Sequence, residues 1–214
     1  GGIGADKMYG GTGNDTYFFD NVADLVVEGS NSDGIDTVHS FNGFSLSNIN
    51  QFQGDIENAQ LRGTLNVNLA GNVLNNTLTG NGGANTVYGG AGNDVLNGFT
   101  GNDTLYGQAG SDRFLFNTTP NASTNIDKIA DFNVPQDAIW LDNAVFKALG
   151  NPALLSAAQF HIGTGAADAL DRIIYNSGTG ALYYDADGSG SGAAIQFATL
   201  SNGLGMTNAD FLIV

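Results

Sequence analysis

The sequence contains no cysteine, which removes both a disulfide framework and a thiolate metal site from consideration. The compartment stays open on this ground, because secreted bacterial proteins lack cysteine as often as cytosolic ones do. Basic residues are scarce as well. Six Lys and Arg face 21 Asp and Glu, for a net charge of −15. A surface of that sign repels phosphate, so nucleic acid and anionic membrane surfaces are poor partners. Glutamate is rare even among the acids: only Glu28 and Glu57 break a series of aspartates. A generic solvated acidic face would mix the two, whereas aspartate is the short carboxylate suited to tight turns and hard cations. No run of apolar residues approaches a membrane span. No leader is present, and the chain opens inside a repeat, as expected of a segment cut from something longer.

Glycine is what the sequence has in excess. There are 32 in 214 residues, about twice the usual share of roughly 7%. They fall into a period of nine. From residue 71 the units read GNVLNNTLT, GNGGANTVY, GGAGNDVLN, GFTGNDTLY and GQAGSDRFL, ending at 115. Position 8 is apolar (Leu78, Val87, Leu96, Leu105, Phe114). Position 6 is Asn76, Asn85, Asp94, Asp103 and Asp112. The same register opens the chain in GGIGADKMY and GGTGNDTYF, with Asp6 and Asp15 at position 6. A degraded unit, 19–27, puts Asp24 there, and GIDTV (34–38) puts Asp36 there after a short insertion.

Six residues of each unit read as a turn, in which glycine supplies the unusual backbone angles, and three as a short strand. Two units make a coil of about 18 residues, and coils stack at about 4.8 Å in two parallel sheets. The fold class expected is therefore all-β: a parallel β-roll followed by a C-terminal, mostly-β cap. In that arrangement Asp6 lies above Asp24, Asp15 faces Asp36, Asn76 faces Asp94, Asn85 faces Asp103, and Asp94 stacks on Asp112. Stacked carboxylates repel unless a cation lies between them. Oxygen donors without His or Cys suit a hard ion, and flexible geometry favours calcium over magnesium.

The unit GGAGNDVLN resembles the RTX, or hemolysin-type, calcium-binding nonapeptide. That resemblance covers about half the chain and implies several bound Ca2+ ions. In the family the position-6 aspartates and main-chain oxygens at positions such as 1, 2 and 4 hold calcium. Carried over, it points to Gly89, Gly90, Gly92, Asp94, Gly98, Gly101, Asp103, Gly107, Gly110 and Asp112 in the second block. In the first block it points to Gly1, Gly2, Gly4, Asp6, Gly10, Gly11, Gly13 and Asp15, with Asp24 and Asp36 in register. Asn76 and Asn85 depart from the pattern; an amide oxygen brings less charge, so weaker or empty sites are expected there. By the same resemblance Asp127 and Asp137 close the last sites, the alternative being surface aspartates at strand ends.

Four segments follow: a first repeat block (1–38), a degenerate solenoid continuation (39–70), a second block (71–118) and the cap (119–214). The cap alternates like strands, with short helices expected at 142–149, 153–160 and 207–212 and Trp140 in its core or capping it. Its end, Asp210-Phe211-Leu212-Ile213-Val214, resembles a type I secretion signal, and an ordinary final strand is compatible with that. Asp185, Asp187 and Ser189 begin like an EF-hand loop, but Gln196 stands where the last acid belongs, which favours a plain hairpin.

No catalytic motif is present, and His39 and His161 lack ligand spacing. A non-catalytic module is expected, any catalytic domain lying upstream. The resemblance implies a monomeric bacterial module, secreted or at the cell surface, that meets the type I secretion machinery and folds on calcium outside the cell. A structural or adhesive surface segment, or the tail of a secreted hydrolase or protease, are the alternatives.

Overall fold

The computed structural model describes residues 1–29 and 34–214. The chain winds as a β-roll, and position 8 of each unit turns inward. One sheet runs unbroken along the whole roll. Its parallel strands are, in spatial order, Thr16–Phe19, Thr37–Ser40, Asn58–Leu61, Thr77–Thr79, Val95–Asn97, Arg113–Phe116, Ala138–Leu141 and Phe211–Ile213. The antiparallel Ala153–Leu154 closes that edge. The register places Tyr17, Val38, Ala59, Leu78, Leu96, Phe114, Ile139 and Phe211 in one inward column. All eight are buried.

The opposite face is split. Lys7–Tyr9, Leu25–Val27 and Phe52–Gln53 form a three-stranded sheet. A second sheet starts at Phe44–Ser45 and continues through Asn68–Ala70, Thr86–Ala91, Thr104–Ala109 and Asp127–Ile129 to Ile195–Thr199. It ends in Ala181–Tyr184 and Ile173–Asn176, where antiparallel pairing replaces the roll, and in Phe160–Ile162, parallel to Ile173–Asn176. Leu69, Val87, Leu105 and Ile129 supply the second inward column.

The split arises in the weakly periodic stretch 39–70. Phe44–Ser45 pairs forward with Asn68–Ala70, and the later strand Phe52–Gln53 pairs back with Leu25–Val27. Where regular stacking is lost, the rings of Phe19, Phe44 and Phe52 meet with centroids 5.1–5.8 Å apart and fill the gap. Aromatic packing of this kind adds to the area it buries. The insertion before Gly34 includes residues 30–33, which lie outside the described residues.

The cap departs from expectation in two ways. The helices expected at 142–149, 153–160 and 207–212 shrink to single 3-10 turns at Lys147–Leu149, Ala157–Gln159 and Asn208–Asp210. Strand pairing on either side leaves no room for the several turns that would repay helix nucleation. Only the last is capped, by Thr207 and Asp210 in a capping box. Trp140 is not in the core. It alternates outward between buried Ile139 and Leu141, and the Arg113 guanidinium lies 5.1 Å from its ring.

Because each inward side chain is clamped between coils above and below, truncation leaves a void that the sheets cannot close. Leu96→Ala is expected to cost about 2–5 kcal/mol in denaturant melts with calcium present. Val73→Ala, at an exposed position, is expected to stay within about 0.5 kcal/mol.

Candidate metal centre

The turns are joined by one repeated bond. The N–H of a position-6 residue donates to a carboxylate oxygen of the position-6 residue one coil on. Asp6 donates to Asp24 Oδ1 (3.0 Å) and Asp15 to Asp36 Oδ1 (2.8 Å). Asn76 donates to Asp94 Oδ1 (2.7 Å) and Asn85 to Asp103 Oδ1 (2.7 Å). Asp94 donates to Asp112 Oδ1 (2.9 Å), Asp103 to Asp127 Oδ1 (3.1 Å) and Asp112 to Asp137 Oδ1 (3.0 Å). The steps are 18 residues within the regular block, 21 from Asp15 to Asp36, 24 to Asp127 and 25 to Asp137. Loop length varies while the ladder is kept.

The ladder also holds a residue that the nine-residue register did not reveal. The Asp36 N–H donates to Glu57 Oε2 (2.9 Å), so Glu57 carries the column through the degenerate stretch. The signal was present: Glu57 is one of two glutamates, and Glu57-Asn58-Ala59 mirrors Asp36-Thr37-Val38 as acid, polar, apolar. Asp131 was also missed. It receives the N–H groups of Gly107 (2.9 Å) and Gln108 (3.0 Å) and so fastens the last regular turn.

From Asp24 onward each ladder acid spends one oxygen on the bond, while Asp6 and Asp15 begin their columns and only donate; the fate of the other oxygen divides the turns into two kinds. In the open kind it is buried without a hydrogen-bond partner: Oδ2 of Asp15, Asp94, Asp103 and Asp112, and Oε1 of Glu57. In the closed kind the protein satisfies it. Asp24 Oδ2 takes the N–H groups of Asp20 and Asn21, and Asp137 Oδ2 that of Asn133 (2.8 Å). Asp6 Oδ2 takes the Gly2 N–H (2.8 Å). At Asn76 and Asn85 the amide does both jobs. Asn76 Oδ1 takes the Asn72 N–H, and its NH2 donates to the carbonyls of Ile56 and Glu57. Asn85 Oδ1 takes the Asn81 N–H, and its NH2 donates to the carbonyls of Leu65 and Val67. In both turns the amide NH2, itself a donor, occupies the side of the residue facing the previous coil.

A buried carboxylate oxygen with no donor is costly, and burial pushes Asp94, Asp103, Asp112 and Glu57 toward the protonated form. Asp94 is raised to about 7, Asp103 to about 8 and Asp127 to about 7, in each case chiefly by desolvation. The Asp127 carboxylate beside Asp103 raises it further by like-charge repulsion. Asp112, Asp137 and Glu57 are raised by burial too. A hard cation accepted by several oxygens would replace the missing donors, and the residues present fit calcium in that sense.

The glycines are explained by the same carboxylates. Gly1, Gly10, Gly89, Gly98 and Gly107, at position 1, lie directly beside the position-6 side chain of their own unit. An added Cβ on Gly98 would collide with Asp103 Oδ2. Position 4 is left-handed in five units: Gly110 has φ 145° and its missing Cβ points into the Gly92 carbonyl of the coil below. Gly4, Gly13, Gly92 and Gly101 share that sign of φ, as do Gly11 and Gly90 at position 2, whereas Gly2 does not. Phe99 (φ 72°) and Gln108 (φ 70°) hold position 2 in the left-handed region without being glycine.

The model of the RTX calcium-binding nonapeptide repeat family matches four copies, over residues 1–26, 71–99 and 98–116. This chain carries RTX calcium-binding repeats. The matched RTX segments contain Asp6, Asp15, Asp24, Asn76, Asn85, Asp94, Asp103 and Asp112, while Asp36, Glu57, Asp127 and Asp137 lie outside them. A subunit of the mannuronan C5-epimerase from Azotobacter vinelandii, solved in solution, is similar in structure, with a TM-score of 0.41 and 24% identity. The match spans 72% of this chain and 77% of that one. No curated protein matches the sequence.

Other residues singled out from the sequence stand apart from the ladder. Asp185 and Asp187 lie in the loop joining the antiparallel Ala181–Tyr184 and Ile195–Thr199. There Asp185 Oδ1 takes the Asp187 N–H and Asp187 Oδ2 the Gly192 N–H, which is a hairpin loop holding itself together. His39 is half-buried. Its Nδ1 is enclosed without a partner, its ring lies 5.6 Å from that of Phe18, and burial lowers its pKa. His161 Nδ1 is 3.8 Å from Asp171.

The raised acids fix the sign of the pH dependence. The metal-free fold holds more protons than the unfolded chain from about pH 4, the ordinary aspartate range, up to about 8. Its stability is therefore fully present at the acid end of that window and is lost as pH rises through it. Calcium competes with the same protons, so its affinity falls as pH drops. In chelator the β signal in circular dichroism is expected to be gained as pH is lowered from about 8 to about 5, and the calcium affinity to fall over the same interval. A chelator β signal that grows with rising pH contradicts this.

Proposed function

We propose that this module is a calcium-driven folding unit of a secreted or surface-exposed bacterial protein, exported unfolded through a type I secretion channel. The observation that carries the reading is the row of enclosed carboxylate oxygens without donors at Asp94, Asp103 and Asp112. Without a cation, the fold must either protonate these groups or bury charge beside charge, in a chain whose net charge is already −15. Its glycine content raises the entropy of the unfolded state further. In a low-calcium cytosol both effects favour the unfolded chain, the form a narrow channel can pass.

Outside the cell, calcium binds the folded state, and its binding energy becomes folding energy. The low count of basic residues fits that sequence of events, since few internal cations compete for the aspartates. The strand Phe211–Ile213 pairs on both sides in the continuous sheet, with Ala138–Leu141 and Ala153–Leu154. An export signal read in the unfolded chain would thus be consumed as structure once folding is complete. The module itself is non-catalytic in this reading, and any activity of the parent protein belongs to its other parts.

Circular dichroism of the intact chain tests the proposal. In excess EGTA near neutral pH the spectrum is expected to be that of a disordered chain, with β signal appearing cooperatively on millimolar calcium. Magnesium at equal concentration is expected to leave the chain disordered. Full β structure in EGTA at pH 7.5 would sink the reading. Asp103→Asn is expected to raise the calcium midpoint about tenfold, because one donorless carboxylate is replaced by an amide that closes the turn.

A further inference from the structure

The inward column of the continuous sheet is apolar from Val38 to Phe211, but its first member is Tyr17. Tyr17 is 5% exposed, and its hydroxyl is enclosed without a hydrogen-bond partner. A buried phenol normally finds one. Its hydroxyl converges with two acids. A Cβ built on Gly10 would run at once into the Tyr17 hydroxyl, Glu28 Oε1 and Asp15 Oδ2. Asp15 Oδ2 is itself enclosed and partnerless. Asp36 completes the group: one carboxylate oxygen from each of Asp15, Glu28 and Asp36 lies within 4.8 Å of the others. The Asp15 N–H on Asp36 Oδ1 ties the cluster to the ladder.

We propose that Glu28 and the Tyr17 hydroxyl join the Asp15–Asp36 rung to make a three-carboxylate calcium site at the Gly10 turn. The inference rests on the chain being a calcium-binding repeat module, and it goes beyond the repeat pattern. Glu28 follows the degraded unit 19–27 and Tyr17 occupies an apolar position, so the nonapeptide supplies neither ligand. Three carboxylates and a neutral hydroxyl oxygen are hard donors of the kind calcium takes in irregular number and geometry. The third carboxylate gives this site more negative charge than a pair of position-6 aspartates, so it fills first. It also matches a trivalent ion in charge, and a lanthanide of similar preference for oxygen binds there ahead of the other turns.

The test uses terbium on the intact chain, with tyrosine-sensitised luminescence as the readout and circular dichroism in saturating calcium as the control for folding. The first equivalent of terbium is expected to give strong sensitised emission in the wild type. Tyr17→Phe, which keeps the ring and removes one atom, is expected to fold in calcium and to lose most of that emission. Glu28→Gln is expected to weaken first-ion affinity about ten- to a hundredfold, the worth of one charge-assisted contact. Wild-type emission in Tyr17→Phe together with wild-type first-ion affinity in Glu28→Gln overturns the site. If the wild type itself neither binds calcium nor folds on it, the functional reading fails instead.

Discussion

One contact recurs along the whole roll: a carboxylate that spends one oxygen on the N–H of the previous coil and keeps the other enclosed. The first oxygen sets the register between coils. Where the turn offers the second no N–H, it creates a deficit that only a proton, an amide or a cation can remove. Fold and metal chemistry are therefore not separable here, since the group that aligns the strands is also the group that makes the metal-free fold unfavourable. The difference between Asp103 and Asn85 in adjacent coils shows the point. Both occupy the same position, and the amide accepts the Asn81 N–H within its own turn and donates to the carbonyls of the previous coil, where the carboxylate has no donor to offer.

The ladder tolerates changes in the chain that joins its rungs. Coils lengthen from 18 residues to 21 and then to 24 and 25 without loss of the bond. Loop closure grows only slowly more costly with length, whereas a broken rung would bury an unmatched N–H. The opposite face obeys a weaker rule. Where no acid holds the rung, between Leu25–Val27 and Asn68–Ala70, the sheet parts and a cluster of phenylalanine rings fills the space.

The repeat blocks were legible in the sequence because glycine and aspartate there serve local needs. A left-handed turn and a side chain folding back on its own unit are decided within nine residues, so period and chemistry appear together. Glu57 was not legible, because it keeps the ladder at a spacing of 21 and in a segment where the glycines no longer recur every nine residues. Asp131 was hidden for a similar reason: its partners, Gly107 and Gln108, lie more than twenty residues back. The helices expected in the cap failed because short apolar periodicity cannot distinguish a helix from strands that a neighbouring sheet is ready to pair.

The sequence by itself determined the solenoid, its inward columns and the oxygen-only character of its metal chemistry, because each follows from a pattern that repeats within one turn. Only the tertiary structure decided which carboxylates remain without donors. Asp24 and Asp94 hold the same place in the repeat, yet the turn around Asp24 donates two N–H groups and the one around Asp94 leaves an oxygen bare. It likewise brought Tyr17, Glu28 and Asp36 to one point, by a packing of coils that no local period encodes. Donor satisfaction depends on what the neighbouring coil presents, and that is a property of the stack rather than of the unit.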